Sequence, residues 1–465
     1  MKGEPCRTPN GSNSNNEYLV NPTGQNNNNN AINSNGVAPD YRNSPIQVDT
    51  QMLKAEQSCK EGSSCPVEDR QKADADAGRA IVPAEPTSPL WEVDAANGIP
   101  FDYADLIEAV RECKQNVMWK DSVAGFVKNR LTNCTRLLSE LHSGKYQLSH
   151  YACFKIYEPK ERDIVATSIR DRVVQRALCD TYLYNALTHG FVYDNWACQI
   201  NKGTTACRKR FKELLQIHYR KHGTEGFVLN VDIKNYFGST RHDVAKAAVA
   251  RKVKNLWVRN YVFMLIDSFH GITGDHMGIG LGSQISQLIQ LAVLDDLDHI
   301  IKDRLGIRCY IRYMDDMKII HRDKEKLKEL REVIRSYLQE RGLKLSDRKT
   351  FIAPLENSIR FLGFRYRLTD TGFVVQRLED GKISKERKKL LAQLKILPIQ
   401  RVDEGYTAWK ANVKQGTTYA LIQRMNSFYY YHRRKNAKIQ KSLQGGDRTG
   451  EKGQEAGSRE CQAAS

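Results

Sequence analysis

The sequence predicts an α+β fold, antiparallel strands with helices layered on one face, and three observations carry that prediction. The run GFVLNVDI from Gly226 to Ile233 is apolar enough for a strand buried on both faces until it reaches Asp232. Between Ser286 and Ile301, Leu288, Leu291, Leu294, Leu297 and Ile301 recur at spacings of three and four, a helix with one packed stripe closed by Gly306. Cys309 to Ile320 alternates apolar and polar residues on either side of Met314, Asp315 and Asp316, as a β-hairpin with acids at its tip does.

Taken in chain order, the elements begin late. Thirteen asparagines fall in the 34 residues from Asn10 to Asn43, and the chain stays polar to about Pro89, so residues 1–89 are expected to form a disordered, Asn-rich leader. From Tyr103 to Leu141, apolar residues such as Leu106, Val110, Val123, Val127, Leu137 and Leu141 recur at helical intervals, enough for two or three helices. Tyr151 to Ile164 reads as a strand pair around the basic turn Glu158, Pro159 and Lys160. A helical stretch with Val173, Val174, Ala177, Leu178 and Tyr182 follows.

After the hairpin, Asp323 caps a helix that runs through Leu327, Leu330, Ile334 and Leu338 to Gly342. Two short strands are expected around Thr350 to Ala353 and Ile359 to Tyr366. Beyond Lys382 the chain turns basic and helical, with Lys385, Arg387, Lys388, Lys389 and Lys395, then a second segment from Phe428 to Arg434. Residues 441–465 read as a disordered, Gly-rich tail.

Composition narrows the function classes. The 465 residues allow two to four packed units at ~150 residues each. A formal charge of +18, from 72 Lys+Arg against 54 Asp+Glu, favours a polyanionic partner such as nucleic acid, with a membrane surface as the alternative on charge alone. No stretch approaches ~18 consecutive apolar residues and no signal-peptide core is evident, so the chain reads as cytoplasmic, with no membrane association. Its 11 cysteines are odd in number and scattered, Cys179 and Cys309 within apolar segments, as reduced buried thiols are. Cys59 with Cys65, or His150 with Cys153, is half a zinc site without a matching second pair.

The acids hold the chemistry. Asp232 closes one strand, and Asp315 follows 83 residues later (315 minus 232) at a hairpin tip. If the strands are neighbours the carboxylates converge, with Lys234 and Lys318 near enough to offset part of the charge. Converging carboxylates suit Mg2+, and two such ions about 4 Å apart can activate a hydroxyl and stabilise a leaving pyrophosphate. An isolated Asp pair is ordinarily a solvated loop. Here strands flank it and a second acid ends an independent strand.

Tyr313-Met314-Asp315-Asp316 within IRYMDDMKII, with Asp232 within VLNVDIKNYFGST, resembles the palm of a reverse transcriptase. The resemblance runs from about Tyr146 to Tyr366 and more weakly to about Arg434, taking in FKIYEPKERDIVATSIRDRVVQRAL, KLSDRKT and FLGFRY. It implies a right-hand polymerase fold: N-terminal helices and fingers over 90–225, a palm over 226–368 and a basic thumb over 369–440. It also implies an RNA-directed DNA polymerase using two Mg2+ ions, with Mn2+ as substitute, and binding dNTP, template RNA and RNA/DNA hybrid.

By the same resemblance, Asp232, Asp315 and Asp316 are catalytic, the backbone of Ile233 adds a metal oxygen, and Lys349 is the general acid toward pyrophosphate. Lys160 and Arg162 face the triphosphate, where charge-assisted bonds serve best. Phe237 sits beneath the sugar and excludes a 2′-hydroxyl. Tyr313, Met314, Phe361 and Gly363 lie along the primer, Gly363 because a Cβ would obstruct the turn's approach. Lys385, Lys388, Arg433 and Arg434 follow the duplex by phosphate contacts and A-form shape, a packed helix with solvated charges being the competing account.

The segment Gly278 to Gln287 discriminates among subclasses. Gly278, Gly280 and Gly282 make a flexible loop whose backbone can approach a nucleotide. Leu281, Gly282, Ser286 and Gln287 are similar to the signature of reverse transcriptases from diversity-generating retroelements, where an apolar residue replaces glutamine and copying is error-prone at template adenines. That implies a small basic accessory protein. Gly280 departs from the proline usual there. The alternatives are a retron-like, group II intron-derived or phage-defence enzyme, and, in another class, a non-catalytic RNA-binding scaffold.

Overall fold

The computed structural model describes residues 98–157, 161–269 and 276–450, with side chains to 437. The Asn-rich leader, Cys59, Cys65, Lys160 and the tail beyond 450 lie outside the described residues.

Three helices open the fold: α1 (Tyr103–Cys113), α2 (Asp121–Lys128) and α3 (Arg130–His142). Asp102 and Asp105 form a reciprocal capping box at the start of α1, which satisfies two of its orphan amides. The strand pair β1 (Ala152–Ile156) and β2 (Arg162–Ala166) is antiparallel, with Ile156 opposite Arg162. Next, α4 (Ile169–Leu178) passes through a π-helical turn, Cys179–Leu183, into α5 (Tyr184–Thr188). The long α6 (Thr204–His222) precedes the central strand.

That strand, β3 (Phe227–Val231), is followed by α7 (Tyr236–Ser239), α8 (His242–Lys252), α9 (Leu256–Ser268), α10 (Gln284–Val293) and α11 (Asp295–His299). The hairpin β4 (Tyr310–Tyr313) and β5 (Asp316–His321), helix α12 (Lys324–Glu340) and strand β6 (Phe351–Pro354) complete the unit. The Asp323 carboxylate accepts from the amides of Glu325 and Lys326, the cap that the sequence predicts for α12.

The four strands form one antiparallel sheet in the order β4-β5-β3-β6. Alternation sorts its residues between two cores. Leu229, Val231, Tyr310, Met317 and Ile319 join a core with α8 to α12, while Val228, Ile311 and Ile320 join another with Phe211 and Leu214 of α6. Both faces are therefore covered, which corrects the one-face expectation: α6 precedes the strand in sequence and its packing stripe reads no differently from that of any surface helix.

The helix expected from Ser286 to Ile301 is also different. It starts at Gln284, breaks at Leu294 (φ −99°, ψ 4°) and passes through α11 into a π-helical turn, Ile300–Arg304. Nearly all of α10 is buried rather than one stripe, since it lies between α4, α5 and α8. The strand expected over Ile359 to Tyr366 is two, β7 (Ile359–Phe361) and β8 (Phe364–Leu368). Leu362 (φ 45°) and Gly363 (φ 86°) turn between them with the two positive dihedrals of a type I′ hairpin.

A strand the sequence reading misses, β9 (Val374–Leu378), pairs with β8 along five residues. The chain ends in α13 (Lys382–Ile396), α14 (Ile399–Val413) and α15 (Tyr419–Gly450), packed around Leu390, Leu394, Val402, Tyr406, Met425 and Tyr429. Among the described residues none of the seven cysteines forms a disulfide, and no helix is long and apolar enough to cross a membrane.

Candidate active site

Register assembles the acids. β3 pairs with β5 so that Val231 faces Met317, and β4 pairs with β5 so that Tyr313 faces Asp316. One step further along β3, Asp232 comes level with Asp316 beside the Met314-Asp315 turn. Met314 holds φ 56°, and a left-handed residue other than glycine costs about 1–2 kcal/mol. The turn is bent at that cost, which places Asp315 at the very end of the hairpin.

The acids act on one another electrostatically. Burial pushes the Asp315 carboxyl up to about 6, and the neighbouring charges of Asp232 and Asp316 push the same way. Burial also raises Asp316, against the pull of Lys318. Two ammoniums relieve part of this crowding. Lys349 Nζ donates to both oxygens of Asp232 at 2.7 and 2.8 Å, and Lys318 Nζ, on a buried side chain, donates to Asp316 at 2.5 Å.

Lys349 reaches Asp232 because its turn is tied to the end of β3. The Ser346 amide donates to the Asp232 carbonyl at 2.8 Å, Ile233 bridges Leu345, and Thr350 Oγ1 sits between the Asp232 amide and carbonyl. Ile233 itself is buried. Lys234, the other lysine expected to offset charge, is exposed.

Among the described residues, no three carboxylate, imidazole or thiol groups stand close enough to hold one metal ion. The donor set nevertheless fits a hard divalent cation in kind: three anionic oxygen groups whose mutual repulsion calls for positive charge, with the Lys349 ammonium standing in against Asp232.

A second group of expected residues meets beside the acids' strand. The Phe237 carbonyl accepts from the Ile279 amide at 2.8 Å, and the Leu281 carbonyl accepts from the Val165 amide of β2 at 3.0 Å. This ties the glycine loop to both Phe237 and the β1–β2 pair. Two of the loop's glycines also make room for the chain's own packing. A Cβ on Gly280 would come within 2.3 Å of the Phe269 ring, and one on Gly282 (φ 140°) within 2.8 Å of the Val165 carbonyl. Leu281 is half-buried and Gln287 accepts from the Cys198 thiol at 3.1 Å. Arg162 is exposed at the start of β2.

The remaining expected residues divide. Tyr313 and Met314 are half-buried at the hairpin end, and Lys385, Lys388 and Arg434 are exposed on α13 and α15. Phe361 is 1% exposed and packs against Phe211 with ring centroids 5.0 Å apart, so it is core and not a primer contact. In a strand with period two, Phe361 points opposite to the solvent-facing Arg360. Arg433 is half-exposed and pairs with Asp403 on α14, at 2.9 and 3.1 Å. At Gly363, the space a Cβ would need is taken by Lys382 Nζ at 2.6 Å.

Two residues that sequence reasoning passes over lie directly behind the acids. Arg312 and Asp298 are both 0% exposed. Arg312 Nε donates to Asp298 at 2.8 Å, Nη2 bonds the second oxygen, and the Tyr310 hydroxyl donates to the same carboxylate. Burial pushes the Asp298 carboxyl up, against the pull of Arg312 and of the Tyr310 hydroxyl. A signal was available: an arginine in the middle of an apolar strand.

Residues 159–366 match the family profile described as reverse transcriptase (RNA-dependent DNA polymerase). The matched stretch runs from just before β2 into β8 and contains all three acids. No curated protein sequence matches the chain. Solved structures with some likeness include telomerases. Apo telomerase from Candida tropicalis aligns at 14% identity and TM-score 0.39, over 58% of this chain and 57% of that one. A form of it truncated from the C-terminal domain gives 14% and 0.37, over 49% and 54%. Telomerase from Candida albicans, in complex with a fragment of telomeric RNA, gives 12% and 0.37, over 61% and 58%. The chain spans a little over half the length of those telomerases.

Proposed function

We propose, from the reverse transcriptase domain over residues 159–366, that this protein is an RNA-directed DNA polymerase which extends a primer on an RNA template. One observation supports it above the rest: β3–β5 pairing brings Asp232, 83 residues distant in sequence, beside the Asp315-Asp316 hairpin end. Asp232, Asp315 and Asp316 would hold two Mg2+ ions, with the Ile233 carbonyl beside them. When bound, such ions lower the pKa of an attacking hydroxyl and neutralise the leaving pyrophosphate.

The chain's own residues do the rest. Lys349, which bonds Asp232, would be the proton donor toward the leaving pyrophosphate. Phe237, linked through Ile279 to the glycine loop, bounds the sugar and favours dNTP. Arg162, with Lys160, faces the triphosphate. Exposed Lys385, Lys388 and Arg434 follow the phosphates of the RNA/DNA hybrid, which makes affinity fall steeply with salt. In this reading residues 90–225 act as fingers, 226–368 as palm and 369–440 as thumb of a right hand.

Asp315→Asn tests the assignment. It is expected to abolish extension of a primed RNA template and leave template binding nearly unchanged. Extension at the wild-type rate would refute it and leave a non-catalytic RNA-binding scaffold.

Within that activity, we read the enzyme as error-prone and of the diversity-generating type, assisted by a small basic protein. Leu281 supports this: it fixes the loop through its carbonyl and offers no side-chain hydrogen bond to a nascent base pair, so selectivity is low. Sequencing the cDNA made on an adenine-containing template is expected to show errors concentrated at adenines. Uniform fidelity would favour the retron-like, intron-derived or phage-defence alternatives.

A further inference from the structure

The Asp298–Arg312 pair stands where stability alone gives little reason for it. Replacing a buried ion pair by well-packed apolar residues is often neutral or favourable, so such a pair is weak evidence of stabilisation and better evidence of a need for direction. Arg312 supplies direction at three points. Its Nε and Nη2 grip Asp298 on α11, Nη2 also donates to the Leu291 carbonyl at 3.2 Å, and Nη1 donates to the Met314 carbonyl at 3.2 Å. Leu291 lies in the last turn of α10, whose carbonyls lack helical partners.

The Met314 carbonyl belongs to the peptide bond that leads into Asp315. Holding that oxygen fixes the plane of the peptide before Asp315, and the Tyr313–Asp316 pairing fixes the chain after it, so the two together set how the Asp315 side chain leaves the backbone. Arg312 is itself fixed by its main chain, which donates to the Asp194 carbonyl at 2.9 Å and accepts from the Trp196 amide at 3.0 Å. An apolar side chain could fill the volume but could not hold a carbonyl at a set angle.

We propose that the buried Asp298–Arg312 pair is a positioning device that aims Asp315 at Asp232, through the Met314 carbonyl, so that the two can share divalent cations. This rests on the polymerase reading of the acids. Arg312 touches no reacting group; it acts through Asp315. Supporting residues behind a metal site typically change affinity or activity by about 10–100-fold when removed.

The test uses the full chain with two variants. In Asp298→Leu/Arg312→Met the volume is kept and no charge is left unpaired; Arg312→Lys keeps the charge and loses the fork. Mn2+ is titrated into each protein without nucleic acid and followed by the electron paramagnetic resonance of the free ion. Single-turnover primer extension with Mg2+ is then measured at varied dNTP, with turnover normalised to the fraction folded from thermal unfolding.

The expected result is Mn2+ affinity weakened by about 10–100-fold in both variants, turnover lowered to match, and KM for dNTP little changed. Equal Mn2+ affinity in wild-type and variant proteins, absence of binding in both included, overturns the proposal. So does wild-type turnover in either folded variant. If the double variant does not fold, Arg312→Lys decides by the same criteria. A wild-type chain that extends no primer refutes the polymerase reading, while the Mn2+ titration still judges the pair.

Discussion

Two hairpins in this molecule share a two-residue turn with left-handed backbone, and an arginine grips a turn carbonyl in each, yet they are held in opposite ways. At β4–β5, Arg312 comes from the hairpin itself, is fully buried, and ties Met314 to α10 and α11 within one core. At β7–β8, Arg208 comes from α6. It donates to the Leu362 carbonyl at 3.0 and 2.8 Å, and to Asn412 and Gln415 around the end of α14 at 2.8 Å each. Lys382 of α13 takes the Gly363 carbonyl at 3.3 Å. The first turn is fixed relative to the sheet, as an acid that must meet another acid requires. The second is tied both to α6 and to the C-terminal helices.

That contrast can be broken experimentally, beginning with the largest effect. Arg312→Met leaves Asp298 buried without its cation and is expected to cost about 3–5 kcal/mol in urea unfolding. Arg208→Met, at a site 9% exposed, removes hydrogen bonds whose acceptors can turn to water, and is expected to cost about 1–3 kcal/mol. It should also speed amide exchange in α13 and α14 while leaving the β4–β5 amides protected. Equal losses in the two variants, or exchange that spreads to β4–β5, would mean that the hairpins belong to one support system.

The smallest effect sharpens the same contrast at the end of α11. His299 Nδ1 lies 2.5 Å from Asp303 and Nε2 lies 2.9 Å from the Gly190 carbonyl; the Asp303 carboxylate raises its pKa, against a smaller effect of burial. A histidine raised on folding stabilises fully below its unfolded value of about 6.5, and that stabilisation is lost as pH rises through the folded value. His299 is 40% exposed on its side chain, so solvent weakens the effect. The stability difference between wild type and His299→Gln is expected to be greatest near pH 5.5 and to fade in the alkaline range. A difference that grows with pH would contradict the protonated pairing.

Much of this was legible in the residues. Alternation around Met314, the Asp323 cap and the apolar run into Asp232 each report a local preference, and β4–β5, α12 and β3 stand where those signals put them. What escaped depends on partners distant in sequence. Asp298 looks like an ordinary surface charge, and Arg312, though it interrupts an apolar strand, names no partner until the fold removes water from both. Phe361 looked available because a turn follows it, but the partner that buries it is Phe211, 150 residues earlier (361 minus 211). The glycines at 280 and 282 announced a close approach without saying to what, and the answer is Phe269 and β2. Lys349 was read as a proton donor; its bond to Asp232 depends on the tether between the Ser346 turn and the end of β3.

The five-residue ladder between β8 and β9 has a practical bearing on anyone dividing the protein for expression. A fragment stopped at 368, where the basic C-terminal region was expected to begin, would bare a row of unpaired amides and carbonyls along Phe364 to Leu368 beside the apolar Phe364 and Tyr366. Such an edge invites self-association and precipitation. A fragment carried past Leu378 keeps that ladder, while Gln376 of β9 still loses its bond from Thr417.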